Sequence, residues 1–202
     1  MGIITEQEPV FPLSKTKKVK GHRRRAREKV MQILSAHEVS GTPWGKIFSH
    51  VFFREFNTGE SEDGVEQADV SGKLLTQNEI AEIESDIPIE WEEIEIKFAA
   101  ELIENVLKMS DYLDDVIKQT AQNWELSRIA KIDRLLMHMA IVELLKCPEI
   151  PPKVSINEAI DIAKKYSTDK SGLFINGLLD SIYDKLRDDG LITKTGRGLK
   201  ED

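Results

Sequence analysis

An all-α fold is the class this sequence predicts, and three observations predict it. Apolar residues recur at three- and four-residue spacing along most of the chain, no stretch alternates as a half-buried strand does, and no glycine-rich phosphate loop precedes a helix. With 202 residues, 40% of them hydrophobic, the chain can bury a sizeable core and fold on its own. No apolar run reaches about 18 residues, and the N-terminus has no apolar stretch ahead of a cleavage site, so a cytoplasmic protein without a membrane span is expected. Cys147 is the only cysteine in the sequence, which excludes an internal disulfide and a cysteine zinc cluster; a small apolar residue at a helix end is its expected role.

Charge is unevenly distributed. The net charge is −8, yet residues 15–29 hold nine Lys and Arg against one Glu, a local +8 that leaves −16 for the rest of the chain. A basic arm on an acidic body is a localised footprint for a polyanion rather than the mark of a nonspecific nucleic-acid binder.

In chain order, residues 1–21 hold Pro9 and Pro12, a run of lysines and no periodicity, and are expected to form a flexible basic tail. A helix is expected from His22 to about Val39, with Ala26, Val30, Ile33, Leu34 and His37 on one face and Arg23, Arg24, Arg25 and Arg27 in its first turns. Cations at the positive end of a helix oppose the macrodipole at a cost of some tenths of a kcal/mol each. Either a bound anion such as RNA phosphate or salt bridges to the acidic body would offset that. Ser40 to Pro43 breaks the helix, and Trp44, Ile47, Phe48, Val51, Phe52 and Phe56 form a second stripe, expected to be core rather than a base-stacking surface. Residues 57–97 are acidic, with only Lys73 and Lys97 as cations, and read as an insertion: a flexible half near 57–71, a short helix over 77–85, and a solvated acidic face rather than a metal site.

A long helix follows from about Trp91 to Asn123, bent near Ser110 and Asp111, and after a short connection at 124–128 a strongly apolar helix from Ile129 to Lys146 should be central. His138 on that helix has no serine, cysteine or carboxylate constellation near it in the sequence and is expected to be structural. Pro148, Pro151 and Pro152 enforce a turn. Ser155, three residues before Glu158, reads as a capping box that starts the next helix, with Ile156, Ala159, Ile160, Ala163 and Tyr166 as its stripe. After turn residues 167–170 comes the stripe Phe174, Ile175, Leu178, Leu179, Ile182 and Leu186, and the two stripes should meet, through Ile160, Ala163, Phe174, Leu178 and Ile182. Gly177 inside the last helix costs about 1 kcal/mol relative to alanine, so close helix contact or approach to a ligand should compensate. Residues 188–202 are expected to be a frayed C-terminal tail.

The segment SINEAIDIAKKY followed by FINGLLD closely resembles the C-terminal half of the NusB family of bacterial transcription antitermination factors. RRRARE at residues 23–28 resembles the family's N-terminal arginine motif, and residues 129–146 resemble its long central helix. The resemblance implies two packed helical subbundles within residues 22–187, with the arginine motif on the N-terminal one and the acidic insertion at 57–97 longer than usual. It implies a non-enzymatic factor, without cofactor or metal, that binds boxA-type single-stranded RNA. Its partners would be the small-subunit ribosomal protein NusE and the RNA polymerase transcribing ribosomal RNA operons. The motif matches place RNA contacts at Arg23, Arg24, Arg25 and Arg27 and at Phe174 and Asn176 of FING, although Phe174 also suits a core position. Ser35 stands where the family commonly has tyrosine, Gly172 and Leu173 where it has a more polar pair, and His138 where it more often has arginine. The alternative is a helical interaction module whose basic arm docks an acidic protein.

Overall fold

The computed structural model describes residues 19–53, 89–121 and 126–199. Seven α-helices lie among them: α1 (Arg23–Ser40), α2 (Trp44–Phe52), α3 (Glu93–Lys108), α4 (Ser110–Thr120), α5 (Lys131–Lys146), α6 (Pro152–Tyr166) and α7 (Ser171–Asp188). The fold is all-α, as the periodicity requires. Among the described residues its one strand pairing is a two-residue parallel pairing of β1 (Val19–Lys20) with β2 (Ile89–Glu90), too short to show as alternation.

Helix α1 starts where His22 Nδ1 accepts the Arg25 N–H at 3.4 Å, and it stops at Gly41, whose φ of 67° suits glycine. Its Ala26, Val30, Met31, Ile33 and Leu34 are buried against α2 and α3. The aromatic stripe of α2 is core: Phe48 and Phe52 stack with centroids 4.5 Å apart, and Phe52 meets Trp91 at 4.7 Å. The long helix expected from residue 91 breaks at Met109, one residue before the expected bend, into α3 and α4.

The second subbundle is α4 to α7, with α5 as its axis and its bridge to α1 and α3. Helix α5 is buried nearly all round, from Leu135 to Leu144. Helix α6 begins earlier than the capping box suggests: Pro152 takes the first helical position, where its missing N–H costs nothing, and Pro151 is the cap. Ser155 is therefore no cap but a buried side chain within the helix. The α6–α7 contact is real but rotated from the expected stripe. Ala163 and Ile182 are buried as expected, yet Ile162, Ile175 and Leu179 fill the centre, while Ile160, Phe174 and Leu178 are only partly buried.

Two expected boundaries move. Residues 89–97 of the expected insertion belong to the folded body through β2, Trp91 and the start of α3, while residues 57–88, including the helix expected over 77–85, lie outside the described residues. The expected C-terminal tail is tied down through Leu199. Lys194 Nζ donates to the carbonyls of Glu143 (3.1 Å) and Cys147 (3.0 Å), Thr195 N donates to Pro148 O at 2.9 Å, and Gly198 lies so close to that carbonyl that a Cβ would collide with it. The ammonium thus adds a second hydrogen bond to carbonyls at the end of α5 that already accept the backbone N–H groups of Cys147 and Ile150. Burial and the nearby Glu143 push the Cys147 thiol up to about 12, which makes it an inert, protonated thiol.

Candidate nucleic-acid interface

The four arginines at the start of α1 share a helix end but not an environment. No acid stands in the first turn of α1 to balance them. Arg27 points inward: it is 5% exposed, its Nε donates to Glu143 Oε1 at 2.6 Å and its Nη2 to Glu143 Oε2 at 2.8 Å, a fork on a carboxylate that is itself 1% exposed. Ser155 Oγ donates to the same Glu143 Oε2 at 2.8 Å, and Arg27 Nη1 reaches Glu158 Oε2 at 3.5 Å. Burial works against the charge of Arg27, but the bonds and charge of Glu143 outweigh it and hold the guanidinium above its ordinary pKa. Arg27, expected from the sequence to contact RNA, instead directs its donors into the protein, where they tie α1 to α5 and α6.

Arg24, one residue short of a turn earlier, is half-exposed and also taken by acids. Its Nη2 lies 3.0 Å from Glu158 Oε1 and 2.9 Å from Asp161 Oδ2, and the hydrogen bond to Glu158 is the main reason its pKa is raised. Arg23 and Arg25 differ. The guanidinium of Arg23 sits over the Phe98 ring, 4.2 Å from its centroid, and neither Arg23 nor Arg25 has a carboxylate within ion-pair distance among the described residues. Among the described residues the helix start therefore displays two cations without carboxylate partners beside two matched ones.

Across α6, the FING segment opens α7. Phe174 packs partly against the core, and Asn176 is exposed with its Nδ2 donating to Asp180 Oδ2 at 2.9 Å. The start of α7 is fixed from below: Ser171 Oγ donates to buried Asp133 Oδ2 at 2.7 Å while accepting the Thr168 N–H at 3.2 Å. A Cβ on Gly172 would stand 3.5 Å from both Ile160 and Lys164, an ordinary van der Waals contact, so α6 and α7 meet here without requiring glycine. A Cβ on Gly177 would meet nothing within 4 Å, so the expected close helix contact is absent. Leu173 is 83% exposed, the most exposed large hydrophobic residue among the described ones.

Elsewhere, His138 is structural: it is 2% exposed and its Nε2 lies 2.9 Å from Asp114 Oδ1, which also accepts from Arg134 Nε at 2.8 Å. Burial lowers its pKa against the pull of Asp114, so it is neutral at pH 7. Among the described residues no three His, Cys, Asp or Glu side chains are grouped to hold a metal, and no helix is long and apolar enough to cross a membrane. The residues missed from sequence are the acids that receive the arginines: Glu143, Glu158 and Asp161. Glu143 carried a signal, since an acid inside the apolar run AIVELL must find a buried partner.

Fold and face together define a two-bundle, all-α protein that presents a cationic helix start beside a polar segment of its C-terminal helical pair. The NusB family model matches residues 63–184, more than half of the sequence, and the chain belongs to the NusB family. Among curated relatives, the transcription antitermination protein NusB of Salinibacter ruber is 50% identical over 113 residues, which are 56% of this chain and 71% of that protein. Its counterpart in Chloroherpeton thalassium is 38% identical over 177 residues, 88% of this chain and 68% of that one. Among solved structures, T. maritima NusB shares 28% identity at a TM-score of 0.58, over 83% of this chain and 94% of its own. NusB from a complex with NusE and dsRNA superposes at a TM-score of 0.55 with 20% identity, over 81% of this chain and 96% of that one, and so speaks to fold alone. The family model begins after the arginine segment, whose place therefore rests on the structure.

Proposed function

We propose that this chain is a non-enzymatic, cytoplasmic antitermination factor that holds boxA-type single-stranded RNA together with NusE while RNA polymerase transcribes ribosomal RNA operons. The observation that carries the RNA part is the pair of unmatched cations, Arg23 and Arg25, at a helix end whose own partial charge is positive and whose first turn has no acid. Such a cluster is stabilised by phosphate. Family membership supports the antitermination role, and a neighbour in fold that carries NusE and RNA supports both partners. Arg23 and Arg25 take phosphates directly, Arg24 joins them by exchanging Glu158 and Asp161 for a phosphate, and Phe174 and Asn176 of α7 meet the bases. Arg27 is excluded from the contact set and acts as the strut beneath it.

The test is a titration of boxA-type RNA at several salt concentrations, with and without NusE. Arg23→Gln with Arg25→Gln should lower the slope of log affinity against log salt by roughly 0.7 per contact, about 1.4 together. An unchanged slope removes this helix start from the RNA path. Unchanged RNA binding with loss of NusE would instead assign the arginines to a protein partner.

A further inference from the structure

A second group of cations shares Arg25 with the first and adds two lysines, Lys29 and Lys165, to which no RNA contact has been assigned. Arg25 and Lys29 stand one turn apart on α1, about 6 Å along its axis. The end of α6 brings in a third cation: Lys165 Nζ lies 3.1 Å from Glu28 Oε2, and the hydroxyl of Tyr166 donates to the same oxygen at 3.1 Å. Glu28 is thus already held by α6. Lys29 is half-buried, its ammonium donates to the Gln32 amide oxygen at 3.1 Å, and no carboxylate lies within ion-pair distance of it among the described residues. Lys29 thus lies within the electrostatic reach of Arg25, Lys165 and Glu28, and of these three cations only Lys165 is paired with the Glu28 carboxylate among the described residues.

We propose that Arg25, Lys29 and Lys165 form a second phosphate subsite, which carries single-stranded RNA from the first turn of α1 across to the C-terminal end of α6. The subsite rests on the RNA-binding reading above and extends it from Arg25 to two residues that reading does not use, Lys29 and Lys165. It lies along the route from the arginine turn towards the start of α7, where Phe174 and Asn176 stand. Lys165 is exposed and can exchange Glu28 for a phosphate oxygen, leaving Glu28 to Tyr166. Burial lowers the pKa of Lys29, and the nearby charges of Lys165 and Arg25 lower it further against the pull of Glu28. A crowded ammonium of this kind is relieved by an anion.

The experiment uses the full chain and a short single-stranded RNA of boxA type, titrated at several salt concentrations, with Lys29→Gln, Lys165→Gln, the double variant and Lys29→Arg. Each Gln should lower the salt slope by roughly 0.7 and the double by about 1.4, while Lys29→Arg keeps the wild-type slope. A purely structural role for Lys29 would lower the thermal midpoint without moving the slope. Because Lys165 is exposed, Lys165→Gln carries the test even if Lys29→Gln unfolds. Wild-type slopes in Lys165→Gln and in the double variant, alongside a reduced slope in Arg23→Gln, overturn the subsite and leave the RNA reading standing. Absence of salt-dependent RNA binding by the unaltered chain overturns both.

Discussion

The start of α1 and the length of α7 each carry residues that the family resemblance assigns to RNA, and opposite forces hold them in place. Helix α1 is fixed at its first turns by carboxylates, Arg27 on Glu143 and Arg24 on Glu158 and Asp161. Helix α7 is fixed by Ile175, Leu179, Ile182 and Leu186, each at most 2% exposed, with a buried polar anchor at Ser171. An apolar stripe tolerates small rotations and leaves the opposite face free for a ligand. A forked ion pair fixes its residue and removes it from ligand binding. Four arginines within five residues can thus divide their labour, two held by carboxylates and two without such partners among the described residues, where four residues of an apolar helix divide only by face.

The largest effect should come from breaking the apolar side. Leu179→Asp puts an unpaired carboxylate at a position with 0% exposure and should cost on the order of 5 kcal/mol, enough to abolish cooperative urea unfolding of an ordinary domain. Leu178→Asp, next along the helix but only partly buried, should cost less than half as much. Equal losses would mean that α7 is rotated from the orientation described.

Breaking the ionic side comes next. Arg27→Gln leaves Glu143 buried with only the Ser155 hydroxyl, and should cost about 3–5 kcal/mol in a urea titration. Replacing both Arg27 and Glu143 by Met should recover most of that, since apolar residues of similar volume substitute well for a buried pair. Failure of the double variant to recover stability would show that Ser155 and Glu158 depend on the pair as well.

These two tests mark where the sequence was legible. Helix positions and the all-α class follow from a period of 3.6, which depends only on residues near one another in the chain, so α1, α3 to α5 and α7 fell close to their expected bounds. The direction an arginine takes depends on a carboxylate more than a hundred residues away, as Arg27 does on Glu143, and no local spacing encodes that. Ser155 shows the same limit: its spacing from Glu158 satisfied the capping-box pattern, but the preceding prolines had already started the helix and the hydroxyl was used for Glu143 instead. Lys194 likewise looks like tail in sequence and is an anchor in three dimensions, because its partners are backbone carbonyls that any sequence supplies.

A smaller effect of opposite sign is expected on the outer face of α7. Gly177→Ala meets open space and should stabilise the helix by about 0.8–1 kcal/mol, read as a higher urea midpoint. Measured alongside, RNA affinity tells whether the glycine is there for close approach of a ligand: a stabilised variant with weakened RNA binding would say that it is, and unchanged binding would leave the glycine without a role in the contact.

The smallest effect separates exposure from geometry as the reason the two inward arginines differ. Arg24 and Arg27 share Glu158 and stand three residues apart, but the Arg24 side chain is 48% exposed against 5% for Arg27. Solvent screens the pair that Arg24 makes, and exposed ion pairs contribute only about 0.2–1 kcal/mol. Arg24→Gln should therefore cost at most about 0.5 kcal/mol at low salt, and the loss should vanish in high salt because mobile ions replace the contact. The Arg27→Gln loss should persist in high salt, since its carboxylate is out of reach of those ions. The measurement is a pair of urea titrations of each variant, one at low and one at high ionic strength. A salt-resistant loss of several kcal/mol in Arg24→Gln would make Arg24 a second strut like Arg27, withdraw it from any exchange with phosphate, and leave Arg23 and Arg25 as the cations this helix start offers to RNA.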